Sequence, residues 1–402
     1  MKSRQPILAI LFVASAYAQQ VRGRVIHEIS SEIVDMSRDG KFWLLHGSRT
    51  KKCEENKYGC REAFLTVYST EAGKQVGELV DGATAVPFAR FKDPPLVELL
   101  TGRTTQATLR QVWDPTSGSV REAPFAGPDF FQPLCPLGDF GYLGRIGDGT
   151  TRTPNYSAVS PGAQRRLPVD PGESWIRSTP CHFATLTAAW LNRNGQTLSW
   201  INVADGKATA CASFPDELVN YTISPDDSLI VAVTRTKPDT KLLVDTTEVT
   251  DPTQEMYAHL LQASDCSVLR KFKLEFPEKP TKTAPLLAPR NLYWKNAMLR
   301  GSNVLTVSPD NSMMAIGYGV RTNGIYSDAP AYFAIYSISH GRRLARMKAD
   351  TYRNGLLTAL RYMDCVSTTA APVTSVRFSP DSRTLYAGSL RIWAWDVSGI
   401  PR

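Results

Sequence analysis

VTSVRFSPDSRTLYAGSLRIWAWDVSGIPR, Val373 to Arg402, is the stretch whose reading decides the fold. It contains three short alternating segments, VTSVRF, TLYAGS and RIWAWDV, separated by turn chemistry. Alternation with period two puts one apolar face on each segment, which is the signature of half-buried strands. Three strands leave an unpaired edge, and a sheet edge with nothing on it invites unwanted pairing. A fourth strand is therefore expected from elsewhere in the chain. QVRGRVIHEI, Gln20 to Ile29, is β-rich and belongs to no repeat unit of its own. It is expected to pair with Arg391–Val397 as the outer strand.

The Ser379-Pro380-Asp381 turn recurs. YTISPDDSLIVAVT starts at Tyr221, LTVSPDNSMMAIGYG at Leu305 and VRFSPDSRTLYAGS at Val376, and VDMSRDGKFWLLHGS at Val34 has the same shape. Proline presets φ at the first turn position, and Asp or Asn bonds backbone NH groups two residues on, so each copy predicts a tight antiparallel hairpin. Third and fourth strands follow around polar turns, as in FLTVYSTEAGKQVGEL from Phe64, LRQVWDPTSGSVREAPF from Leu109 and YFAIYSISHGRRLARM from Tyr332. Four antiparallel strands per unit make a propeller blade. Seven units are expected, near 30–80, 83–125, 129–168, 173–214, 218–276, 297–350 and 371–399. The third carries the strand pattern without the Ser-Pro-Asp turn. The expected fold is thus all-β: a seven-bladed β-propeller, four antiparallel strands per blade, closed by an N-terminal strand that completes the last blade.

Units of about 55 residues exceed the 40–45 usual for such repeats, so insertions are required. They fall near 49–62, 235–257, 277–300, 320–331 and 350–370. All lie between second and third strands or between units, and in an antiparallel blade these connections emerge on one side. Loops on a rigid scaffold commonly carry binding. Tyr257, Trp294, Arg321, Tyr326, Tyr352 and Arg353 are the candidate partner-face residues, being of the types that anchor interfaces. The competing reading has NLYWKNAMLRG and TYRNGLLTALRYM folding back as short helices that bury these rings.

With Trp395-Asp396, Trp113-Asp114 and the turns at Ser224, Ser308 and Ser379, the chain resembles the WD-repeat β-propellers in a degenerate, exported form. The resemblance spans nearly the whole chain as a repeat pattern. The Gly-His dipeptide of that family is missing, so its Asp-His-Ser-Trp tetrad is not carried over. The resemblance implies a scaffold for protein or polymer partners, usually without catalysis.

MKSRQPILAILFVASAYAQQ opens the chain with Lys2 and Arg4, an apolar run over 7–16 and Ala16-Tyr17-Ala18. That order predicts a signal peptide over 1–18, cleaved near Ala18, and one propeller domain over 19–402 in the periplasm or outside the cell. The apolar run is too short to span a bilayer, and no transmembrane segment is expected. The formal charge of +8 points away from nucleic acid in an exported protein and fits anionic envelope polymers, membrane surfaces, acidic protein partners or, more readily, a merely solvated surface, so it decides nothing. Export permits disulfides among the seven cysteines. Cys53 with Cys60, flanking the turn-like EENKYG, is the first candidate pair, and Cys135 with Cys181, at similar places in successive units, is the second. No zinc spacing, nucleotide loop or catalytic motif occurs, so no metal, cofactor or catalytic residue is assigned. Two functions are carried: a non-enzymatic scaffold that binds through its insertion-rich face, and a propeller hydrolase, lyase or oxidoreductase with its site at the central channel. Ionisable side chains clustered at the channel favour the second; an apolar plug counts against it.

Overall fold

The computed structural model describes residues 23–27, 31–53, 56–81, 85–102, 109–123, 131–136, 142–146, 155–160, 163–167, 187–191, 197–202, 208–236, 242–244, 247–249, 255–275, 304–318, 329–352, 375–388 and 391–402. Among them the chain is all-β, with no α-helix. β1 (Gly23–His27) stands apart from its sequence neighbours. The first sheet is β2 (Ser31–Met36), β3 (Phe42–Cys53), β4 (Asn56–Ser69) and β5 (Lys74–Asp81). The second is β6 (Ala85–Phe91), β7 (Val97–Gly102), β8 (Leu109–Trp113) and β9 (Val120–Ala123), and the third β10 (Phe131–Pro136), β11 (Tyr142–Ile146), β12 (Asn155–Ser160) and β13 (Ala163–Leu167). Three described strands, β14 (Thr187–Leu191), β15 (Thr197–Asn202) and β16 (Ala208–Ser213), form the fourth. The fifth is β17 (Glu217–Ile223), β18 (Leu229–Arg235), β21 (Met256–Gln262) and β22 (Val268–Leu274), interrupted by the hairpin of β19 (Leu242–Val244) and β20 (Thr247–Val249). The sixth is β23 (Leu305–Val307), β24 (Met313–Tyr318), β25 (Ala329–Ser337) and β26 (Arg343–Tyr352). The seventh takes β27 (Ser375–Phe378), β28 (Thr384–Gly388) and β29 (Ile392–Asp396) from the end of the chain and β1 from its beginning.

Each sheet falls within a unit expected from the sequence, including the third. The outer strand of the seventh is the expected N-terminal one: β1 runs antiparallel to β29, with Gly23 opposite Trp395 and Val25 opposite Trp393. The insertion near 49–62 is a continuation of the β3–β4 hairpin, where Arg49 pairs with Glu62 and Lys51 with Cys60.

The repeated turns share one set of bonds. In the seventh sheet Ser379 Oγ donates to Asp381 Oδ1 at 2.5 Å and accepts from Thr384 N at 2.8 Å, while Arg383 N donates to the same carboxylate oxygen. Ser37 with Asp39, Ser224 with Asp226 and Ser308 with Asp310 repeat the arrangement. The residue after the aspartate takes positive φ in each: Gly40, Asp227, Asn311 and Ser382. The Ser and Asp side chains thus satisfy backbone groups that the tight turn would otherwise leave unpaired.

Between sheets the core is aliphatic and aromatic. Leu44, Leu65 and Val67 of the first sheet pack on Ala89, Val97, Leu99 and Trp113 of the second. The sixth and seventh meet through Phe333, Ile335, Val376, Leu385 and Trp395. First strands of successive sheets lie side by side: β10 beside β6, β6 beside β2, β2 beside β27, β27 beside β23, and β23 beside β17. Two bonds cross this series. Ile33 N donates to Ser375 Oγ at 3.0 Å, and Phe91 N to Asp35 Oδ2 at 2.8 Å. The fourth sheet meets the fifth through Leu198 and Phe214 against Leu218, Tyr221 and Ile230.

Candidate functional site

Along the first strands, charged side chains recur at one repeat position, two residues before the turn. Asp35 precedes Ser37 there, and Arg377 precedes Ser379; Arg90 holds the corresponding place on β6. Thr222 and Thr306 fill it in the fifth and sixth sheets. Because β27, β2 and β6 are neighbours, Arg377, Asp35 and Arg90 succeed one another with alternating sign. Burial raises the Asp35 carboxyl above the usual range, against the pull of the Phe91 and Met36 amides and of the Arg377 and Arg90 charges.

The series continues into Glu98 on β7, whose residue is wholly buried. Glu98 stands opposite Arg90 in the β6–β7 ladder, so the two share a face. Arg90 Nε donates to Glu98 Oε2 at 2.7 Å, and Arg110 Nε donates to Oε1 at 2.6 Å. Burial works to raise this carboxyl. The Arg90 charge, the Tyr142 hydroxyl and the two guanidinium bonds outweigh it and hold Glu98 below the ordinary range. Tyr142 closes the group from the third sheet: the Arg90 guanidinium lies 5.3 Å from its ring centre, and Phe88 meets it edge-on at 5.5 Å. Burial, then the Glu98 charge, pushes the Tyr142 phenol well above its usual value.

Chemically, both carboxylates of this array are already committed. Asp35 accepts from Met36 N and Phe91 N, one oxygen each, and Glu98 accepts one guanidinium on each oxygen. Such an array fixes the register of neighbouring sheets.

A second polar group sits where β21 begins and β22 ends. Glu255 accepts from the Tyr257 hydroxyl on one oxygen and from Lys273 Nζ on the other, and the Lys271 ammonium lies 4.5 Å from the Tyr257 ring centre. The Tyr257 phenol is raised by its bond to Glu255, and Glu255 is lowered chiefly by Lys273. Beside them Arg235 Nε donates to Glu217 at 3.1 Å.

Of the expected partner-face residues, Tyr257 alone has a described side chain, and it sits at the start of β21. Tyr352 ends β26, with its backbone opposite Ala329. The Tyr352 side chain, and Trp294, Arg321, Tyr326 and Arg353, lie outside the described residues. So do residues 1–22, which include the expected signal peptide over 1–18, and Cys181. Cys53 pairs in register with Asn56, Cys60 with Lys51, and Cys135 with Leu143, while the side chains of all three are outside the description. A pair the sequence did not suggest is joined: Cys211 and Cys266 form a disulfide with Cα atoms 5.1 Å apart. Cys211 is the extra residue of a bulge in β16, and Cys266 takes positive φ in the β21–β22 turn. The bond ties the fourth sheet to the fifth.

The charged array had a legible signal that went unused: IVDM, FARF, VELL and SVRF each hold one charge inside an apolar strand. Among the described residues no cluster of three or more metal-ligating side chains occurs, and no helix is long and apolar enough to cross a membrane. No known protein family matches the chain, and no curated protein matches it by sequence.

Proposed function

We propose that the seven sheets are the blades of a closed seven-bladed β-propeller and that the protein is an exported, non-enzymatic scaffold. Its partner is a protein or an envelope polymer, held at the face where the long connections emerge. One observation carries this reading: the two ends of the sheets differ. The turns at 37–41, 224–228, 308–312 and 379–383 are short and fully bonded. At the opposite end, the connection from β18 to β21 is long enough to hold the β19–β20 hairpin. The side-by-side first strands and the pairing of β1 with β29 support ring closure. The signal-like N-terminus and the disulfide agree with export.

The test is affinity capture from envelope extract by the protein and by a variant with residues 238–253 replaced by a short Gly-Ser linker. Capture by the first and loss by the second, at equal melting temperature, supports the scaffold. Retention of nothing, together with small-molecule binding, defeats it.

The Arg377–Asp35–Arg90 series favours the second reading, an enzyme at the central channel, because it sets ionisable groups along the first strands. A thermal-shift screen of small metabolites separates the two. A ligand whose stabilisation vanishes in Arg377→Ala supports the channel site.

A further inference from the structure

Three outer strands, β5, β22 and β26, carry a bulge at one equivalent position, and in two of them the extra residue is covered by the neighbouring sheet. Val76 of β5 packs into the core between the first and second sheets, and Leu344 of β26 into the core between the sixth and seventh. Leu269 of β22 is the exception: it is 53% exposed, and Val268 beside it is 61% exposed. Phe272 of the same strand lies against Gly341 in the β25–β26 turn.

The two aliphatic side chains stand in a basic field. β22 reads VLRKFKL, and the segment leading through β26 reads GRRLARMK, with no acidic residue in either stretch. The strands belong to adjacent sheets and are joined at Arg343, which pairs with Glu275 at 2.9 Å, and at the Phe272 and Tyr336 rings, 5.8 Å apart. Glu255 takes Lys273 and Glu275 takes Arg343. Arg270, Lys271 and Arg342 have no carboxylate partner among the described residues. Of the other outer strands, KQVGELVD in β5, VREA in β9 and ATACAS in β16 are balanced or neutral, while GRVIH in β1 and AQRRL in β13 are also basic.

We propose that this rim of the fifth and sixth sheets docks on an anionic phospholipid surface. Adjacent exposed aliphatic residues within a ring of cations match the interfacial zone of a charged bilayer, where apolar groups enter the acyl boundary and cations meet phosphate. A strand-adding acidic peptide fits less well, because the bulge at Leu269 breaks the regular ladder such a peptide needs.

Co-sedimentation of the full chain with phosphatidylcholine vesicles, and with vesicles also containing phosphatidylglycerol, tests the proposal. Every variant retains residues 1–22, so their contribution is common to all measurements. Binding is expected only with the anionic vesicles and falls with added salt. Arg270→Gln and Arg342→Gln each lower partitioning about fivefold, the effect of one basic residue near such a surface. Arg270→Lys retains it. The double variant Val268→Ser/Leu269→Ser weakens binding with its salt dependence unchanged. All these positions are exposed, so melting temperatures serve as a check that each variant is folded. Equal binding to both vesicles, or binding unmoved by these substitutions, overturns the proposal. Binding to polyglutamate without binding to vesicles assigns the rim to an acidic polypeptide and overturns it as well.

Discussion

Gly23 stands opposite Trp395 across the β1–β29 ladder, and the indole fills the space of a side chain at position 23: a Cβ there would lie 2.2 Å from Trp395 Nε1. The two termini are therefore fitted to each other at a place where one methyl group decides the contact. Gly23→Ala is expected to lower stability by about 1–3 kcal/mol, the usual cost of overpacking. Gly399→Ala, with open space around it, leaves thermal melts unchanged. Deleting residues 20–28 removes the outer strand of the seventh sheet and lowers the melting temperature further; an unchanged melt defeats ring closure.

Cys211 and Cys266 close a loop between sheets rather than within one, with a sequence separation of 55. In the chain-entropy account a loop of that size stabilises by about 4 kcal/mol. Cys211→Ser/Cys266→Ser is expected to shift the denaturant midpoint down without abolishing the β-sheet circular dichroism. Reduction of the unaltered protein produces a like shift.

Glu98 is the single carboxylate between two guanidiniums. Glu98→Gln removes the wholly buried carboxylate that both guanidiniums share, and breaking such a pair costs about 3–5 kcal/mol. Chemical denaturation measures the loss. The combined replacement Glu98→Leu/Arg90→Met/Arg110→Met recovers much of it, because the penalty lies in the charge left behind and not in the missing bonds.

His259 is buried against Phe214, with its Nε2 2.9 Å from Thr234 Oγ1. Burial and then the Lys271 charge depress it from 6.5 to about 4. Between those values the unfolded chain binds a proton that the folded chain does not, so stability rises with pH. It is fully present above pH 6.5 and is lost as pH falls toward 4, by about 3 kcal/mol in all. His259→Leu flattens the melting-temperature profile in that window. The turn aspartates act lower. Asp114 is held at about 2 by Thr116 and Ser117, so its stabilisation is present above the usual 3.8 and is lost as pH falls toward 2.

The repeat was legible because its signals are local. Ser379, Pro380 and Asp381 act on backbone groups within five residues, and alternation along Leu229–Arg235 reports a strand without reference to any other. The place of β1 was legible for a related reason: three strands at one terminus and one spare strand at the other are complementary by count. The charged array was half legible. Each of Asp35, Arg90, Glu98 and Arg377 is conspicuous in an apolar strand, but which charge meets which depends on sheets far apart in the chain. The Cys211–Cys266 bond was not legible for the same reason: the two residues meet only because the bulge of one sheet faces the turn of the next.

By itself, then, the amino-acid sequence determined the strands, their hairpins, their grouping into repeats and the end of each sheet at which the long connections lie, since these follow from backbone bonding and period-two burial. Tertiary structure alone decided how sheet meets sheet. That Trp395 leaves room only for glycine at 23, that Asp35 comes between Arg377 and Arg90, and that Leu269 lacks the cover its counterparts have are all consequences of packing between residues that no local pattern relates.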